Sequence, residues 1–178
     1  MTTRQDRIHL KYVVLVVTIA LMAGCGSSRK VVGTIANRPV TILAVNDMHA
    51  AIDNFPRFAF MIDSLRAIYP DMLLISGGDN QTGGPVNDQY QPKGYPMIAL
   101  MNAVGFDFSV VGNHEFDTSQ EGLATLLDSA HFDFICANAT PPQGSKIKFK
   151  PYKFITMPNG AKLAFTSVLD INTTGIPD

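Results

Sequence analysis

Residues 106–117, FDFSVVGNHEFD, join an apolar run directly to a string of polar residues. Residues 106–111 are mostly aromatic or β-branched, which favours a buried strand, and Gly112 ends it. The residues that follow include side chains that bind metals or move protons, and Gly-Asn-His-Glu is an uncommon turn sequence. This stretch therefore predicts a strand that carries a functional site at its carboxyl end.

The same arrangement occurs twice earlier in the chain. Residues 39–45, PVTILAV, form a β-branched run that is followed by Asp47-Met48-His49. Residues 72–76, MLLIS, are almost wholly apolar and lead into Gly77-Gly78-Asp79. Each of these short motifs alone is common in solvated turns, but three at successive strand ends indicate one shared site.

Segments with helical spacing separate these strands. Apolar residues recur every three or four positions in three of them, at 56–68, 96–104 and 119–131. Thr118 and Glu121 have the spacing of a capping box, which predicts the start of the last helix. Residues 83–94, which contain several glycines and prolines, are predicted to be a loop.

The remaining chain adds one more strand and a hairpin. Residues 132–137 predict a fourth strand, and residues 152–156 and 162–168 alternate around Pro158-Asn159-Gly160, a strong hairpin signal. Strands that alternate with helices predict an α/β fold, with a mostly parallel sheet covered by helices. Ligands of such sheets bind at the carboxyl ends of the strands, where the polar motifs lie.

These motifs suit a centre with two divalent metal ions. Such ions neutralise phosphoryl oxygens and lower the pKa of water, which is what hydrolysis of a phosphate ester requires. Asp47 and His49 are two residues apart, so in an extended segment both side chains face one ion. Asp79 follows two glycines that allow a sharp turn and bring its carboxylate towards a pair of metal ions.

The third motif divides into a ligand and an acid. Asn113 offers a neutral amide oxygen to the second ion. We expect His114 to lie beside the metals and to protonate the leaving alkoxide or stabilise the transition-state charge. Asp117, three residues on, is expected to orient that imidazole and raise its pKa. Glu115 is either solvated or a support behind the metal ligands, and His131 is interpreted as a helix cap.

The amino terminus has the layout of an export signal. Arg4, Arg7 and Lys11 precede an apolar run at residues 12–24 that is too short to cross a bilayer comfortably. Residues 21–25, LMAGC, resemble a bacterial lipobox, in which the cysteine thiol is acylated. We therefore expect a lipoprotein signal peptide at 1–24, lipidation of Cys25, and export to a membrane-anchored position in the periplasm or on the cell surface. The alternative is a short core helix with a buried cysteine.

Composition narrows the class of protein. Apolar residues make up 46% and charged residues 16% of the 178 residues, which excludes a disordered chain. The formal net charge is −1 and no Lys/Arg cluster is visible, so we expect no nucleic-acid partner, and no protein partner is predicted. Cys136 is expected to be a buried, inert thiol without a disulfide.

Three stretches carry a family resemblance: residues 42–50, 73–85 and 99–117, together with Cys136-Ala137-Asn138. They resemble calcineurin-like metallophosphoesterases, and within them the bacterial UDP-sugar hydrolase/5′-nucleotidase family. The resemblance implies an αββα sandwich of two mixed sheets and hydrolysis of 5′-nucleotides by metal-bound hydroxide. It leaves open which divalent ions are used, among zinc, manganese, magnesium, cobalt and calcium. Relatives with these motifs include 2′,3′-cyclic phosphodiesterases and thiosulfohydrolases.

The resemblance also implies roles for individual residues. It assigns Asp47 and His49 to one metal, Asp79 to the bridge and Asn113 to the second metal. It makes His114 and Asp117 the catalytic pair.

Two features depart from the family pattern. Ala50 stands where glycine is usual, and the family's later metal-binding histidines and nucleotide-binding domain have no counterpart here. Because these later elements have no counterpart, we expect residues 39–178 to be the N-terminal part of a metallophosphoesterase domain. Residues 25–38 are expected to form a tether between Cys25 and this domain. The alternatives are a truncated, inactive lipoprotein and a cyclic phosphodiesterase.

Overall fold

A computed structural model describes residues 37–170 of the protein. The predicted signal peptide, the lipidation site at Cys25 and nearly all of the predicted tether lie outside the described residues. Six strands, four α-helices and two short 3₁₀ helices make up the described part.

Four strands form one parallel sheet, as the sequence predicts. They are β1 (Ile42–Val45), β2 (Leu73–Ser76), β3 (Phe108–Val110) and β4 (Asp133–Ile135), adjacent in that order. The register pairs Val45 with Ser76, and Ser76 with Ser109. Because all four strands run the same way, the loops that follow β1, β2 and β3 lie side by side at one edge of the sheet.

The helices are α1 (Phe55–Ile68), α2 (Pro85–Gln89), α3 (Tyr95–Val104) and α4 (Ser119–Ser129). The prediction of a plain loop at 83–94 is wrong, because α2 begins at Pro85, whose ring presets a helical φ. Within residues 37–170, none of these helices has the length and apolar character needed to cross a bilayer.

The predicted capping box is also wrong. Thr118 occupies the N-cap position of α4, but its side chain makes no capping hydrogen bond. An N-cap residue normally has an extended backbone, whereas Thr118 has ψ of 7° because it ends the 3₁₀ helix Asn113–Thr118. The hydroxyl of Ser119 instead accepts a hydrogen bond from the Gly122 N–H, at 3.3 Å.

The main core lies between the parallel sheet and its helices. Its members include several side chains with no exposed surface: Ile62, Leu74, Met97, Ile98 and Met101. Cys136, just after β4, is a free thiol and only 2% exposed, which confirms the predicted burial. A well-packed core beneath the strand ends gives the loops above it a rigid base.

The predicted hairpin forms a second sheet. Strands β5 (Tyr152–Thr156) and β6 (Lys162–Thr166) pair antiparallel. The hairpin packs on the parallel sheet, with the rings of Phe108 and Phe165 4.8 Å apart. The architecture of a parallel sheet with helices and an adjoining second sheet confirms the predicted α/β class.

An ionic cluster ties the hairpin to the end of the parallel sheet. Asp133 at the start of β4 accepts hydrogen bonds from the ammonium groups of Lys150 and Lys153, at 2.6 and 2.7 Å. Partial burial alone would raise the pKa of Asp133, but the two lysines outweigh it and hold the pKa below its ordinary value. The cluster therefore favours the folded state when Asp133 is ionised.

We predict that Asp133→Asn lowers the free energy of unfolding by about 1 kcal/mol near pH 7, measured by urea titration. Because the folded pKa lies below the unfolded one, the wild-type advantage is complete above about pH 5 and disappears as the pH falls through the folded pKa. Asp63→Asn is the control, since Asp63 is exposed on α1 and forms none of the ion pairs found in residues 37–170. An equal loss in both variants would contradict this assignment.

Candidate active site

The three predicted ligands Asp47, His49 and Asp79 lie together at the edge of the parallel sheet. One ligand atom of each lies within 4.8 Å of the others. The loop after β1 is hydrogen-bonded to the loop after β2, since Asp47 N–H donates to Gly78 O at 3.0 Å and His49 N–H donates to Asp79 O at 3.1 Å. Backbone pairing thus continues past the strands and holds the side chains together.

The backbone at these positions is not extended, so the predicted reason for the proximity of Asp47 and His49 is wrong. Their φ angles are +53° and +42°, and that of Asp79 is +52°. The left-handed region is unfavourable for residues with a side chain, and such strain is concentrated at functional sites. Curled loops, rather than the two-residue period of a strand, place the Asp47 carboxylate 3.8 Å from the His49 ring.

Two glycines allow the second and third loops to touch. Gly78 has φ of +95°, and a Cβ there would lie 2.8 Å from the Gly112 nitrogen. A Cβ on Gly112 would lie 2.3 Å from Oδ1 of Asp79. A larger residue at Gly112 would push the Asp79 carboxylate out of place, so the glycines that follow β2 and β3 allow the two loops to approach closely.

Glu115 lies beneath this contact, with only 1% of its surface exposed. Its Oε2 accepts from the N–H groups of Asp79 and Gly112, at 3.0 and 2.6 Å. Its Oε1 accepts from the backbone and side-chain N–H groups of Asn80, at 2.8 and 3.0 Å. The solvated interpretation of Glu115 is therefore wrong, because the carboxylate is buried directly behind Asp79, a candidate metal ligand.

The protonation of Glu115 reflects two opposed effects. Burial raises the pKa of the carboxyl, and the N–H groups of Asn80, Gly112 and Asp79 oppose that rise. Every hydrogen bond that Glu115 makes has nitrogen as the donor, which suits an acceptor-only carboxylate.

Asn80 extends the buried network to the strands themselves. Its side-chain oxygen accepts from the Ser76 hydroxyl at 2.6 Å, and its side-chain nitrogen donates to the Ser109 hydroxyl at 2.9 Å. Ser76 and Ser109 are paired residues of β2 and β3. The network therefore fixes the position of Asp79 relative to two adjacent strands.

His114 and Asp117 form the predicted pair. Nδ1 of His114 lies 2.8 Å from Oδ2 of Asp117, and the hydroxyl of Thr82 donates to the same oxygen at 2.8 Å. The hydrogen bond to Asp117 raises the pKa of His114 above its ordinary value, which confirms the predicted effect. Partial burial would raise the pKa of Asp117, but the hydrogen bonds from His114 and Thr82 outweigh it and lower that pKa.

The pair lies directly against the ligand group. The His114 N–H donates to Oδ1 of Asp79 at 2.9 Å. The ring of His114 meets that of His49 edge to face, with centroids 4.7 Å apart. One carboxylate, that of Asp79, thus joins the candidate metal site to the candidate acid.

The predicted roles of Asn113 and His131 are not tested by the contacts that these residues make. Asn113 is half-buried and begins the 3₁₀ helix one residue before His114, so it belongs to the same rim. His131 is exposed beyond the end of α4, where its N–H donates to the Asn102 side chain at 2.7 Å. The ligand role of Asn113 and the capping role of His131 stay predictions.

The donor set fits a divalent metal ion. Two carboxylates and an imidazole suit zinc, manganese or iron, while the carboxylates alone would suit magnesium or calcium. The hydrogen bond from His114 N–H fixes the Asp79 carboxylate, so less freedom is lost when an ion binds. Asp47 and His49 are exposed, which leaves an approach from solvent.

Sequence reasoning missed Asn80 and Thr82. Both lie in the stretch 77–84, GGDNQTGG, whose polar residues follow an apolar strand and precede two glycines. A run of polar residues between two pairs of glycines at a strand end indicates a loop with a fixed conformation. This signal could have pointed to Asn80 and Thr82 as well as to Asp79.

Comparison with known proteins agrees with this geometry. The family model of the calcineurin-like phosphoesterases matches residues 40–177. The chain belongs to the calcineurin-like phosphoesterase family. Members of this family use divalent metals, and Asp47, His49 and Asp79 form a group that could hold such an ion.

Individual relatives extend the comparison. A 5′-nucleotidase of Bos taurus is 34% identical over 146 residues, which cover 68% of this chain and 25% of the relative. A 5′-nucleotidase of Vibrio cholerae is 30% identical, over 94% of this chain and 32% of the relative. The solved structure of Haemophilus influenzae NAD nucleotidase superposes with a TM-score of 0.67 at 29% identity, over 75% of this chain and 26% of that one. The chain thus spans between a quarter and a third of the length of these relatives.

We predict that Glu115→Ala lowers the free energy of unfolding by about 3 kcal/mol or more, because it leaves several buried N–H groups without acceptors. Urea unfolding followed by circular dichroism measures this loss. Glu121→Ala is the control: Glu121 is an exposed residue in the first turn of α4, and its loss is expected to cost less than about 1 kcal/mol. Similar values for the two variants would show that the network around Glu115 is not structural.

Proposed function

We propose that the protein hydrolyses phosphate esters in a metal-dependent reaction and that its substrates are 5′-nucleotides. The observation that carries the proposal is the junction at Asp79, where three metal-binding side chains meet a hydrogen-bonded His–Asp pair. Family membership supports the reaction class, and relatives named as 5′-nucleotidases support the substrate class.

Each residue has a role in this proposal. Asp47 and His49 would hold one divalent ion, Asp79 would contribute to both ions, and Asn113 would contribute to the second. When bound, such ions neutralise the charge of the phosphoryl oxygens and lower the pKa of water. The strained loops hold the ligands before the ions arrive, so less order has to be created on binding.

His114 supplies the proton for the leaving group. Its Nδ1 is engaged by Asp117, which leaves Nε2 as the nitrogen for the ester oxygen that departs. The carboxylate of Asp117 stabilises the protonated imidazole and fixes its orientation. The contact with the His49 ring restricts rotation of His114 away from the metal site.

A second candidate is a metal-binding protein without turnover. It is favoured by one observation: among residues 37–170, the group that could hold a metal offers a single imidazole, that of His49. A divalent ion held by two carboxylates and one imidazole keeps open positions and binds less tightly than one with a full shell. Measurements of metal binding and of hydrolysis on the same sample separate the two candidates.

The amino terminus adds a proposal about location. We infer that residues 1–24 are a lipoprotein signal peptide, that Cys25 is acylated, and that residues 25–38 tether the domain of residues 39–178 to a membrane facing the periplasm or the outside. A lipid anchor of this kind keeps the enzyme where exported or scavenged nucleotides are found.

We predict release of phosphate from 5′-AMP by the 178-residue chain with Mn²⁺ or Zn²⁺, and its loss after treatment with EDTA. Asp79→Ala and His114→Ala are each expected to lower kcat/KM by about 100-fold or more. His131→Ala is the control, because this histidine is exposed beyond α4, and its rate should stay within about twofold of wild type. Unchanged rates in the first two variants would refute the assignment, and binding of Mn²⁺ without any phosphate release would favour the second candidate.

For the anchor, we predict that cells fed with labelled palmitate transfer the label to the wild-type protein but not to Cys25→Ser. Cys136→Ser, which removes the buried thiol, should still be labelled. Label on Cys25→Ser, or none on the wild type in a bacterial host, would rule out this anchor.

A further inference from the structure

Thr82 contacts both members of the His–Asp pair. Its hydroxyl donates to Oδ2 of Asp117 at 2.8 Å and lies 3.3 Å from Nδ1 of His114. The oxygen that receives this hydrogen bond is the one paired with His114, at 2.8 Å. A hydroxyl has one proton, and here that proton is given to the carboxylate. The ionised Asp117 carboxylate can only accept, so the proton between Nδ1 and Oδ2 comes from the imidazole.

The backbone of Thr82 is strained in a way that its residue type does not favour. Its φ angle is +60°, and a β-branched residue in the left-handed region is a genuine outlier. Glycine or asparagine would adopt this angle at lower cost. Threonine at this position therefore costs conformational free energy. The hydrogen bond from its hydroxyl to Asp117 is the interaction that offsets this cost.

The loop around Thr82 is held in place. Gly83 follows with φ of +114°, and a Cβ there would lie 2.9 Å from the carbonyl oxygen of His49. The Gly83 N–H donates to the Asp88 side chain at 3.0 Å. The close approach and the hydrogen bond of Gly83 therefore fix the backbone that follows Thr82.

Asp117 needs such a partner. Its side chain is 35% exposed, and that of His114 is 37% exposed. A carboxylate at the surface with one imidazole partner can rotate and take its hydrogen bonds from water. A second donor from a different loop restricts that rotation and keeps Oδ2 facing His114.

We propose that Thr82 is a positioning residue for the catalytic pair. Through Asp117 it holds the Nδ1 side of the His114 ring against the carboxylate, so that Nε2 faces the substrate. This inference rests on the proposed function for its catalytic consequence, while its structural consequence for the His114 ring does not depend on turnover.

Two substitutions separate the hydroxyl from the shape of the side chain. Thr82→Val removes the hydroxyl and keeps the β-branched shape, whereas Thr82→Ser keeps the hydroxyl and removes the methyl group. Thr82→Gly is a further variant, which adopts a positive φ without strain and lacks the hydroxyl. It gives the answer if the valine variant does not fold, as judged by circular dichroism.

The first measurement is the ¹⁵N chemical shifts of the His114 ring nitrogens in the metal-free protein, at a pH high enough for the ring to be neutral, since these shifts report the tautomer of the neutral ring. We expect the Nδ1–H form in wild type and in Thr82→Ser, and a mixture of both tautomers in Thr82→Val and Thr82→Gly. The second measurement is hydrolysis of 5′-AMP with Mn²⁺. We expect kcat to fall roughly tenfold in the valine and glycine variants, with KM within about twofold of wild type and kcat restored in the serine variant.

The outcomes distinguish the inference from the proposed function. If the His114 ring nitrogens have wild-type chemical shifts in both Thr82→Val and Thr82→Gly, the proposed role of Thr82 is wrong. It is also wrong if Thr82→Ser shows the same shifts and the same kcat as Thr82→Val. A shift of tautomer in a protein that releases no phosphate would support the positioning role and count against the proposed function instead.

Discussion

The carboxylate of Glu115 accepts N–H groups from two loops that follow different strands, and it does so out of contact with water. A buried carboxylate is costly unless donors surround it, so this group is stable only where the loops after β2 and β3 meet. The same requirement works in reverse, because these N–H groups lose a buried acceptor if the carboxylate is removed. Glu115 therefore fixes Asp79 in space, and Asp79 is the residue on which both halves of the site depend.

The site follows from this junction. Asp79 faces Asp47 and His49 on one side and accepts the His114 N–H on the other. The hydrogen bonds between the loops that follow β1 and β2 add the end of β1 to the same rim. A small movement of any one loop would separate the candidate metal ligands from the candidate acid, which explains why glycines are needed where Gly78 and Gly112 meet. The strain at the ligands is tolerated because a buried network holds them.

The sequence was sufficient to predict the parallel sheet and its polar rim, because apolar runs and the residues that end them are local signals. It was not sufficient for the conformation of the rim. The left-handed backbone of Asp47 and His49 depends on hydrogen bonds to a loop about thirty residues away in sequence. The sequence did not decide whether Glu115 is exposed or buried, because its hydrogen-bond donors are brought together only when the loops after β2 and β3 meet. Thr118 matched a capping pattern, but the 3₁₀ helix before it sets a backbone angle that excludes the cap.

The central claim is that Asp47, His49 and Asp79 hold a divalent ion beside His114. Crystals of the 178-residue chain grown with Zn²⁺, with anomalous scattering recorded at the zinc edge, test it most directly. The account predicts a zinc peak about 2.0–2.2 Å from a carboxylate oxygen of Asp47, a ring nitrogen of His49 and a carboxylate oxygen of Asp79. Zinc bound only at other residues, with these three side chains left as they are, would contradict it.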